Sequence, residues 1–114
     1  MIKNTTNGKT LVREKRFCRN DLQKFMGLRF YPKLRDKGLV FPFEKDTKIS
    51  LDMLFVFYHI DVLWLDAGRK VIEMKEDFMP FTFYIPKRHA RYVIELPRGT
   101  IRRTKTKIKD RIGF

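Results

Sequence analysis

The amino-acid sequence predicts a mainly β, β-rich α+β fold, a single compact barrel or jelly-roll-like sandwich with one or two short helices. Residues 53–65 are the most apolar run of the chain and are rich in β-branched and aromatic side chains, which favour an extended conformation. A turn containing Gly68 follows at once and the apolar pattern resumes at Val71, which is typical of a β-hairpin. Residues 20–27 are the best helix candidate.

Two segments before the central run predict further strands. Residues 1–16 predict a terminal strand with a polar turn, and Leu11 and Val12 are expected to pack in the core. Residues 39–43 form a short apolar run that contains Pro42. Because proline cannot donate to a β-ladder, this run is expected at a strand end or on a sheet edge.

The helix candidate carries signals at both ends and along one face. Asn20 can cap its first turn, and Gly27 can end it with a positive φ. Its apolar residues recur at i, i+3 and i+4, which predicts a buried stripe. This stripe consists of Leu22, Phe25 and Met26.

The central run has two apolar rows when it is drawn as a strand. Alternate side chains point to opposite faces of a strand, and only His59 and Asp61 interrupt the apolar pattern. The sequence therefore predicts a strand over residues 53–65 that is either covered on both sides or bends from one layer to another. The run is too short for a membrane helix, and Asp61 interrupts it.

The C-terminal third predicts three more segments of regular structure. Residues 78–86 are aromatic and contain two prolines, so they are expected to cover a core outside the main sheet or to form an edge strand. Residues 90–96 alternate in part and predict a strand. Residues 100–104 predict one helical turn, and residues 108–114 predict a last short strand.

The totals limit the class of protein. A chain of 114 residues suits one domain, residues 1–114, and 43% apolar content is normal for a globular fold. The single cysteine, Cys18, excludes an intrachain disulfide and a cysteine-based zinc site. With no N-terminal apolar signal and no transmembrane segment, we expect a soluble cytoplasmic protein. The sequence leaves the oligomeric state open.

The net charge of the chain is unusually positive. Lys and Arg number 26 against 13 Asp and Glu, which gives a formal net charge of +13 and favours polyanions such as nucleic acid. Near the C-terminus only Glu95 and Asp110 oppose the cations. In an extended chain alternating cations would form a track for a phosphate backbone; the alternative is a solvated edge strand. The candidate polyanion-binding residues are Lys87, Arg88, Arg91, Arg102, Arg103, Lys105, Lys107 and Lys109.

One pair of side chains has the composition of a catalytic site. His59 and Asp61 lie two apart, so on a strand they share a face and could act as a general base or as metal ligands. The alternative is a structural Asp61 that accepts hydrogen bonds from the backbone or an arginine. No third group or pocket is indicated, so we predict no catalytic residue, no metal and no cofactor.

The order of several short motifs resembles DUF192, a small archaeal and bacterial family of unknown function. The motifs run in order along roughly residues 5–114, and they are GLRF at 27–30, GLVF at 38–41, SLDMLFVF at 50–57, IDV at 60–62, ARYVIE at 90–95 and IKDR at 108–111. The resemblance implies a compact, mostly β domain with one or two short helices and no catalytic activity. Asp61 matches the family's aspartate, in an unknown role. Many bacterial members differ around residues 52–56, where they carry a Trp-Met-Lys-Asn-Thr segment.

The sequence supports three functional hypotheses. The first is an uncharacterised small β domain that serves as a non-catalytic binding or interaction module with an unknown partner. The alternative is binding of a nucleic-acid backbone through the C-terminal basic face. The third hypothesis is an enzyme that uses His59 and Asp61.

Overall fold

The computed structural model describes all residues 1–114 and contains ten strands and two short helices. The elements are β1 (Ile2–Asn4), β2 (Thr10–Val12), β3 (Glu14–Phe17), α1 (Asp21–Met26), β4 (Lys37–Thr47), β5 (Leu51–Asp52), β6 (Ile60–Leu65), β7 (Val71–Phe78), β8 (Phe83–Tyr84), β9 (Ala90–Pro97), α2 (Thr100–Thr104) and β10 (Ile112–Gly113).

Three sheets build a sandwich. A five-stranded sheet has the order β3-β4-β9-β6-β7, and all of its neighbours are antiparallel except β3 and β4, which are parallel. A three-stranded sheet, β10-β1-β2, and a two-stranded sheet, β5-β8, are separate from it. The strand-rich fold with two short helices is confirmed, and it is a sandwich rather than a closed barrel.

The five-stranded sheet has an apolar core on each of its faces. Alternation along β6 sends Val62 and Trp64 into one core and Leu63 and Leu65 into the other. β4 and β9 divide their side chains in the same way, and every residue of β6 is buried. The prediction that the central strand is covered on both sides is confirmed for this segment.

The first half of the predicted central strand is not a strand. Only Ile60–Leu65 belongs to β6, and residues 53–59 form a turn and an irregular connection. The Leu54 N–H donates to the Asp52 carboxylate at 3.1 Å, and Phe55 has a φ of 60°. These local bonds turn the backbone away from a ladder, so the prediction over residues 53–59 is wrong.

Helix α1 begins and ends as predicted, but its apolar stripe is exposed rather than buried. Asn20 and Gln23 form a capping box, and Gly27 follows the last turn with a φ of 44°. No residue of α1 is buried, and Leu22 and Phe25 are 70% and 65% exposed. The predicted buried stripe is therefore wrong. Leu28, the first residue beyond the cap, enters the core instead.

The Pro42 segment lies inside the sheet, not at an edge. The Cys18 N–H donates to the Val40 carbonyl oxygen, so the Val40 backbone faces β3. Because backbone groups two residues apart face the same side of a strand, Pro42 turns its nitrogen that way too. β3 ends at Phe17 opposite Val40, so no ladder bond is lost there. The expected edge position is wrong because β4 lies between β3 and β9. The proline is tolerated there because its nitrogen faces the side on which β3 has already ended.

The predicted strand over residues 1–16 is divided into three short strands, β1, β2 and β3, and the predicted last strand over residues 108–114 is confined to Ile112–Gly113. The other elements follow the sequence prediction. The turn at residues 66–69 joins β6 and β7 as a hairpin, β9 extends the predicted strand to Pro97, and α2 is the predicted helical turn. Tyr84 on β8 packs its ring 5.2 Å from Trp64, so the aromatic segment covers a core from outside the main sheet. No helix is long and apolar enough to cross a membrane.

Gly38 lies where the three-stranded sheet packs closely on the five-stranded sheet, and this packing can be tested. A Cβ built at Gly38 would lie 2.8 Å from Ile2 Cδ1 and 3.3 Å from the Glu95 carbonyl oxygen. We expect Gly38→Ala to lower the free energy of unfolding in urea by about 1–3 kcal/mol through overpacking. The matched control is Gly68→Ala, whose Cβ would have only one neighbour, at 3.4 Å; equal effects of the two changes would contradict this packing.

Candidate functional site

A cavity of about 310 Å³ lies between α1 and the face of the sheet formed by β4 and β9. Residues 49–52, which lead into β5, form a further wall. Nine of its fifteen lining residues are hydrophobic. The lining includes Phe25, Met26, Gly27, Leu28, Phe41, Phe43, Ile49, Leu51, Val56 and Val93, with the polar side chains of Lys24, Arg29, Ser50, Asp52 and Glu95.

Glu95 occupies an apolar position at the base of this cavity. It lies on β9 opposite Leu39 of β4 and Val62 of β6. Alternation along β9 places its side chain on the same face as Val93, two residues earlier. Glu95 is only 6% exposed, and its Oε1 has no hydrogen-bond partner. A methyl group at Gly27 would lie 3.8 Å from that oxygen, so the end of α1 covers the carboxyl.

Burial changes the protonation of this carboxyl. Loss of hydration raises the pKa of Glu95 to about 8, because a charged form in an apolar surrounding loses its solvation. The positive charge of Arg29 opposes the shift in pKa, and the negative charge of Asp52 adds to it. At neutral pH the side chain is therefore mainly the neutral acid, which can donate one hydrogen bond as well as accept others.

Arg29 holds the wall of the cavity together. Its guanidinium pairs with both oxygens of Asp52, with an Nη2–Oδ2 distance of 2.8 Å, and donates to the Leu54 carbonyl at 2.9 Å. Its Nε donates to the Phe25 carbonyl at 2.9 Å. Hydrogen bonds from this guanidinium lower the pKa of Asp52. One side chain thus joins the end of α1 to residues 52–54.

The lining can bind but has no arrangement for covalent chemistry. It contains no histidine or cysteine, and its one hydroxyl belongs to the exposed Ser50. A nucleophile needs a base within hydrogen-bond reach, and no hydrogen bond joins Ser50 to a base. What the cavity offers is a neutral acid surrounded by apolar walls.

His59 and Asp61 contact different partners rather than each other. Asp61 is buried, and its two oxygens accept the backbone N–H groups of Asp77 and Ile101 at 3.1 and 2.9 Å. His59 lies outside β6, and its Nδ1 pairs with the Asp77 carboxylate at 2.7 Å. Asp61 thus fixes the irregular end of β7 and the start of α2, which has no side-chain cap of its own. This is the geometry of a structural carboxylate.

The C-terminal basic residues do not form the extended track. Arg102 and Arg103 lie in α2, and positive φ values turn the chain at Lys105 and Lys109. Buried hydrogen bonds fix this shape, because the Asn4 amide donates to Thr106 Oγ1 and Asp110 Oδ2. The alternating geometry predicted from the sequence is therefore wrong, while binding of a polyanion stays a prediction.

The structure divides the eight basic candidates among several places. Lys87 and Arg88 flank a surface depression with Ile108, and their backbone N–H groups donate to the Glu73 carboxylate. Arg91 pairs with Asp46 at 3.2 Å. Lys105, Lys107 and Lys109 are exposed around the turn after α2 and take part in no ion pair.

Arg103 is partly committed to structure. Its guanidinium donates to the carbonyl groups of Thr10 and Leu11, which ties α2 to β2. It also lines an open cavity of about 420 Å³ together with Arg13, Arg35 and Arg98. No pattern in the sequence predicts that cations from four segments would meet there.

Sequence reasoning missed Glu95 as a site residue and treated it only as a counter-charge to the basic block. A signal was present, because Val93, Ile94 and Leu96 are apolar on both faces of the predicted strand. A glutamate between such residues must be buried with them. The cavity itself depends on how α1 lies over the sheet, which no local pattern encodes.

The fold and cavity define a small β-sandwich protein with an internal acid beneath a short helix. The chain belongs to the DUF192 family, described as an uncharacterized ACR, whose sequence model matches residues 2–114. It is 35% identical to a UPF0127 protein of Pyrococcus furiosus over 111 residues, which cover 97% of this chain and 95% of that protein. A UPF0127 protein of Thermococcus sibiricus is 34% identical over 116 residues and is matched over 74% of its length.

Two solved structures share the fold. A protein of unknown function from Novosphingobium aromaticivorans matches with a TM-score of 0.88 at 18% identity, over 99% of this chain and 81% of that one. A protein from Sinorhizobium meliloti, described only as a candidate transcription regulator, matches with a TM-score of 0.82 at 20% identity, over 87% and 79%. At these identities the likeness concerns the fold alone.

The role of Asp61 can be tested by an isosteric change. We expect Asp61→Asn to lower the free energy of unfolding by about 1–3 kcal/mol, because one of the two backbone N–H groups that Asp61 binds then loses its acceptor. Urea denaturation measures this loss. His59→Ala, which removes only a partly exposed hydrogen bond to Asp77, should cost less than about 1 kcal/mol. A stable Asp61→Asn protein would contradict the structural role.

Proposed function

We propose that this protein is a non-catalytic binding module whose ligand occupies the cavity above Glu95. One observation carries the proposal: Glu95, whose buried Oε1 has no hydrogen-bond partner, is one of the residues that line a mostly apolar cavity. Leaving a buried polar group unsatisfied costs about 1–3 kcal/mol. A ligand that hydrogen-bonds to Glu95 would remove this cost. No hydrogen bond within the protein does so for Oε1.

The size and lining of the cavity indicate the class of ligand. A volume of about 310 Å³ is at the lower end for small-molecule sites. Its apolar walls suit an apolar or aromatic body, and the protonated carboxyl suits one group that accepts or exchanges a hydrogen bond, such as a carboxamide or carbonyl. Lys24 and Arg29 border the cavity, which disfavours a cationic ligand. The proposed ligand is therefore small, mostly apolar and neutral.

A fragment screen tests this proposal. In methyl NMR spectra of the whole chain, neutral carboxamide fragments should shift the methyl signals of Met26, Leu51 and Val56 in the cavity wall. We expect Glu95→Gln to retain weak binding and Glu95→Leu to weaken it at least about tenfold, which corresponds to the loss of one hydrogen bond of about 1.4 kcal/mol.

The control for this screen is Glu44→Leu, a change at an exposed glutamate outside the cavity lining. It should leave fragment affinity unchanged. Fragments that bind Glu95→Leu as tightly as the unaltered protein, or shift signals only outside the cavity, would contradict the proposal.

The second candidate function is binding of a nucleic-acid backbone through the C-terminal basic face. The exposed, unpaired Lys105, Lys107 and Lys109 support it. Arg103 also borders a cavity with Arg13, Arg35 and Arg98, in which Asp36 pairs with Arg13. The Sinorhizobium protein of the same fold, described as a candidate transcription regulator, is consistent with this alternative.

A salt titration separates the two functions. If the basic face binds duplex DNA, log affinity should fall linearly with log salt, and changing Lys105, Lys107 and Lys109 to Ser should reduce the slope by up to about 0.9 per lysine. The control changes the exposed Lys15, Lys45 and Lys48 to Ser. Equal reductions for the two triple variants would reject the C-terminal face as a specific site.

A further inference from the structure

Four exposed phenylalanines form one aromatic cluster on the surface. Phe30 stacks on Phe55 at 4.9 Å between ring centroids, and Phe81 packs edge-on against Phe55 and Phe57 at 6.1 and 5.4 Å. Their exposed fractions are 67% for Phe30, 47% for Phe55, 62% for Phe57 and 51% for Phe81. Since a phenylalanine offers about 200 Å² of surface, roughly 450 Å² of aromatic surface remains in water. A patch of that size on a monomer is often functional.

The segments that carry the cluster contain no charged side chain over long stretches. Residues 53–58 and 78–86 are uncharged, and they also expose Leu54, Met79, Phe83 and Ile85. The Phe30 N–H donates to the Phe55 carbonyl at 2.9 Å, and Phe81 N–H donates to the Met53 carbonyl at 2.9 Å. Backbone bonds thus hold three separate segments together beneath the rings.

The backbone is held in an unfavourable conformation to present these rings. Phe30, Phe55 and Phe81 have φ values of 56°, 60° and 59°. For a residue with a Cβ this left-handed region is disfavoured, and bulky residues are genuine outliers there. Three such residues in one exposed cluster cannot be explained by core packing, since none of them is buried. Strain of this kind is typical of binding sites.

We propose that this aromatic cluster docks the protein on an anionic membrane surface. The four rings alone expose roughly 450 Å², about half of the 800 Å² that each partner contributes to a standard protein interface. The rings stand on turns that follow α1, β5 and β7. A bilayer interface accepts such protruding rings without matching their shape, and it accommodates aromatic side chains at headgroup depth.

The charges around the cluster are complementary to anionic headgroups. Asp52 is neutralised by Arg29, and Asp77 pairs with His59 and Arg98. Lys33, Lys87 and Arg88 follow the apolar segments directly, are exposed, and form no ion pair. With a formal net charge of +13 on the chain, attraction to an anionic leaflet adds to insertion of the rings.

A single-stranded nucleic acid fits this cluster less well. Stacking platforms for bases alternate aromatic rings with cations that follow the backbone. Here the rings are separated by uncharged residues, and the free cations lie only at the ends of the segments. The proposal does not depend on the cavity above Glu95, so Glu95→Leu should dock as the unaltered protein does.

Vesicle sedimentation tests the proposal on the full chain. We expect the protein to sediment with vesicles of phosphatidylcholine containing about 30% phosphatidylserine, and at least about tenfold more weakly with phosphatidylcholine alone. Changing Phe30, Phe55 and Phe81 to Asn should weaken partitioning into anionic vesicles at least about 100-fold, because each inserted ring contributes about tenfold. Asparagine tolerates a positive φ, so the melting temperature should move by no more than about 5 °C.

The matched control is Ile108→Asn, which replaces a 46% exposed apolar side chain on the C-terminal turn. It should change vesicle partitioning less than about twofold. Failure of the unaltered protein to sediment with anionic vesicles would overturn the proposal, as would equal partitioning of the triple variant. Self-association without vesicles that the triple variant abolishes, seen by analytical ultracentrifugation, would instead assign the cluster to a second copy.

Discussion

Burial of the five-stranded sheet on both faces is the constraint on which the rest of the structure depends. The central strands β4, β9 and β6 alternate apolar side chains between two cores, so neither face can remain in water. The small sheet β10-β1-β2 and α2 cover one face, and residues 28–34 and 49–58 with β8 cover the other. Most cations are left outside because burial of an unpaired charge is costly.

The two coverings are unequal, and the cavity above Glu95 and the aromatic cluster lie on the weaker side. The face covered by α2 is closed by a buried polar network of Asn4, Thr104, Thr106 and Asp110. The opposite face is covered by short loops and by α1, none of whose residues is buried. The cavity above Glu95 and the exposed phenylalanines are both consequences of this incomplete cover. Arg29 connects them, because it holds residues 52–54 beside both.

Local patterns predicted the parts of the fold that local chemistry determines. The Asn20 cap, the Gly27 end of α1, the hairpin at residues 66–69 and the strand after Ala90 each depend on a few neighbouring residues. The predictions failed where a row of apolar side chains could face either the core or the solvent. The stripe of α1 and the rings after Asp52 satisfy the patterns of buried elements, yet they face solvent.

The candidate site could not be predicted because it is assembled from distant residues. Glu95, Gly27 and Asp52 are brought together by the way α1 and β5 lie over β9, and spacing within one segment carries no information about such a meeting. The hypothesis that His59 and Asp61 act together was based on their spacing alone, and a shared strand face does not establish a contact. The structure instead directs Asp61 to the backbone of Asp77 and Ile101.

The most direct test of the account is the titration of Glu95 itself. Carbon-13 NMR of the labelled side-chain carboxyl, with Glu95→Gln to assign the signal, reports its protonation in the folded protein. A buried acid without a partner at the base of the cavity should titrate near pH 8. A midpoint between about pH 4 and 5, the range of a solvated glutamate, would show a hydrated or paired carboxylate and contradict the proposed site.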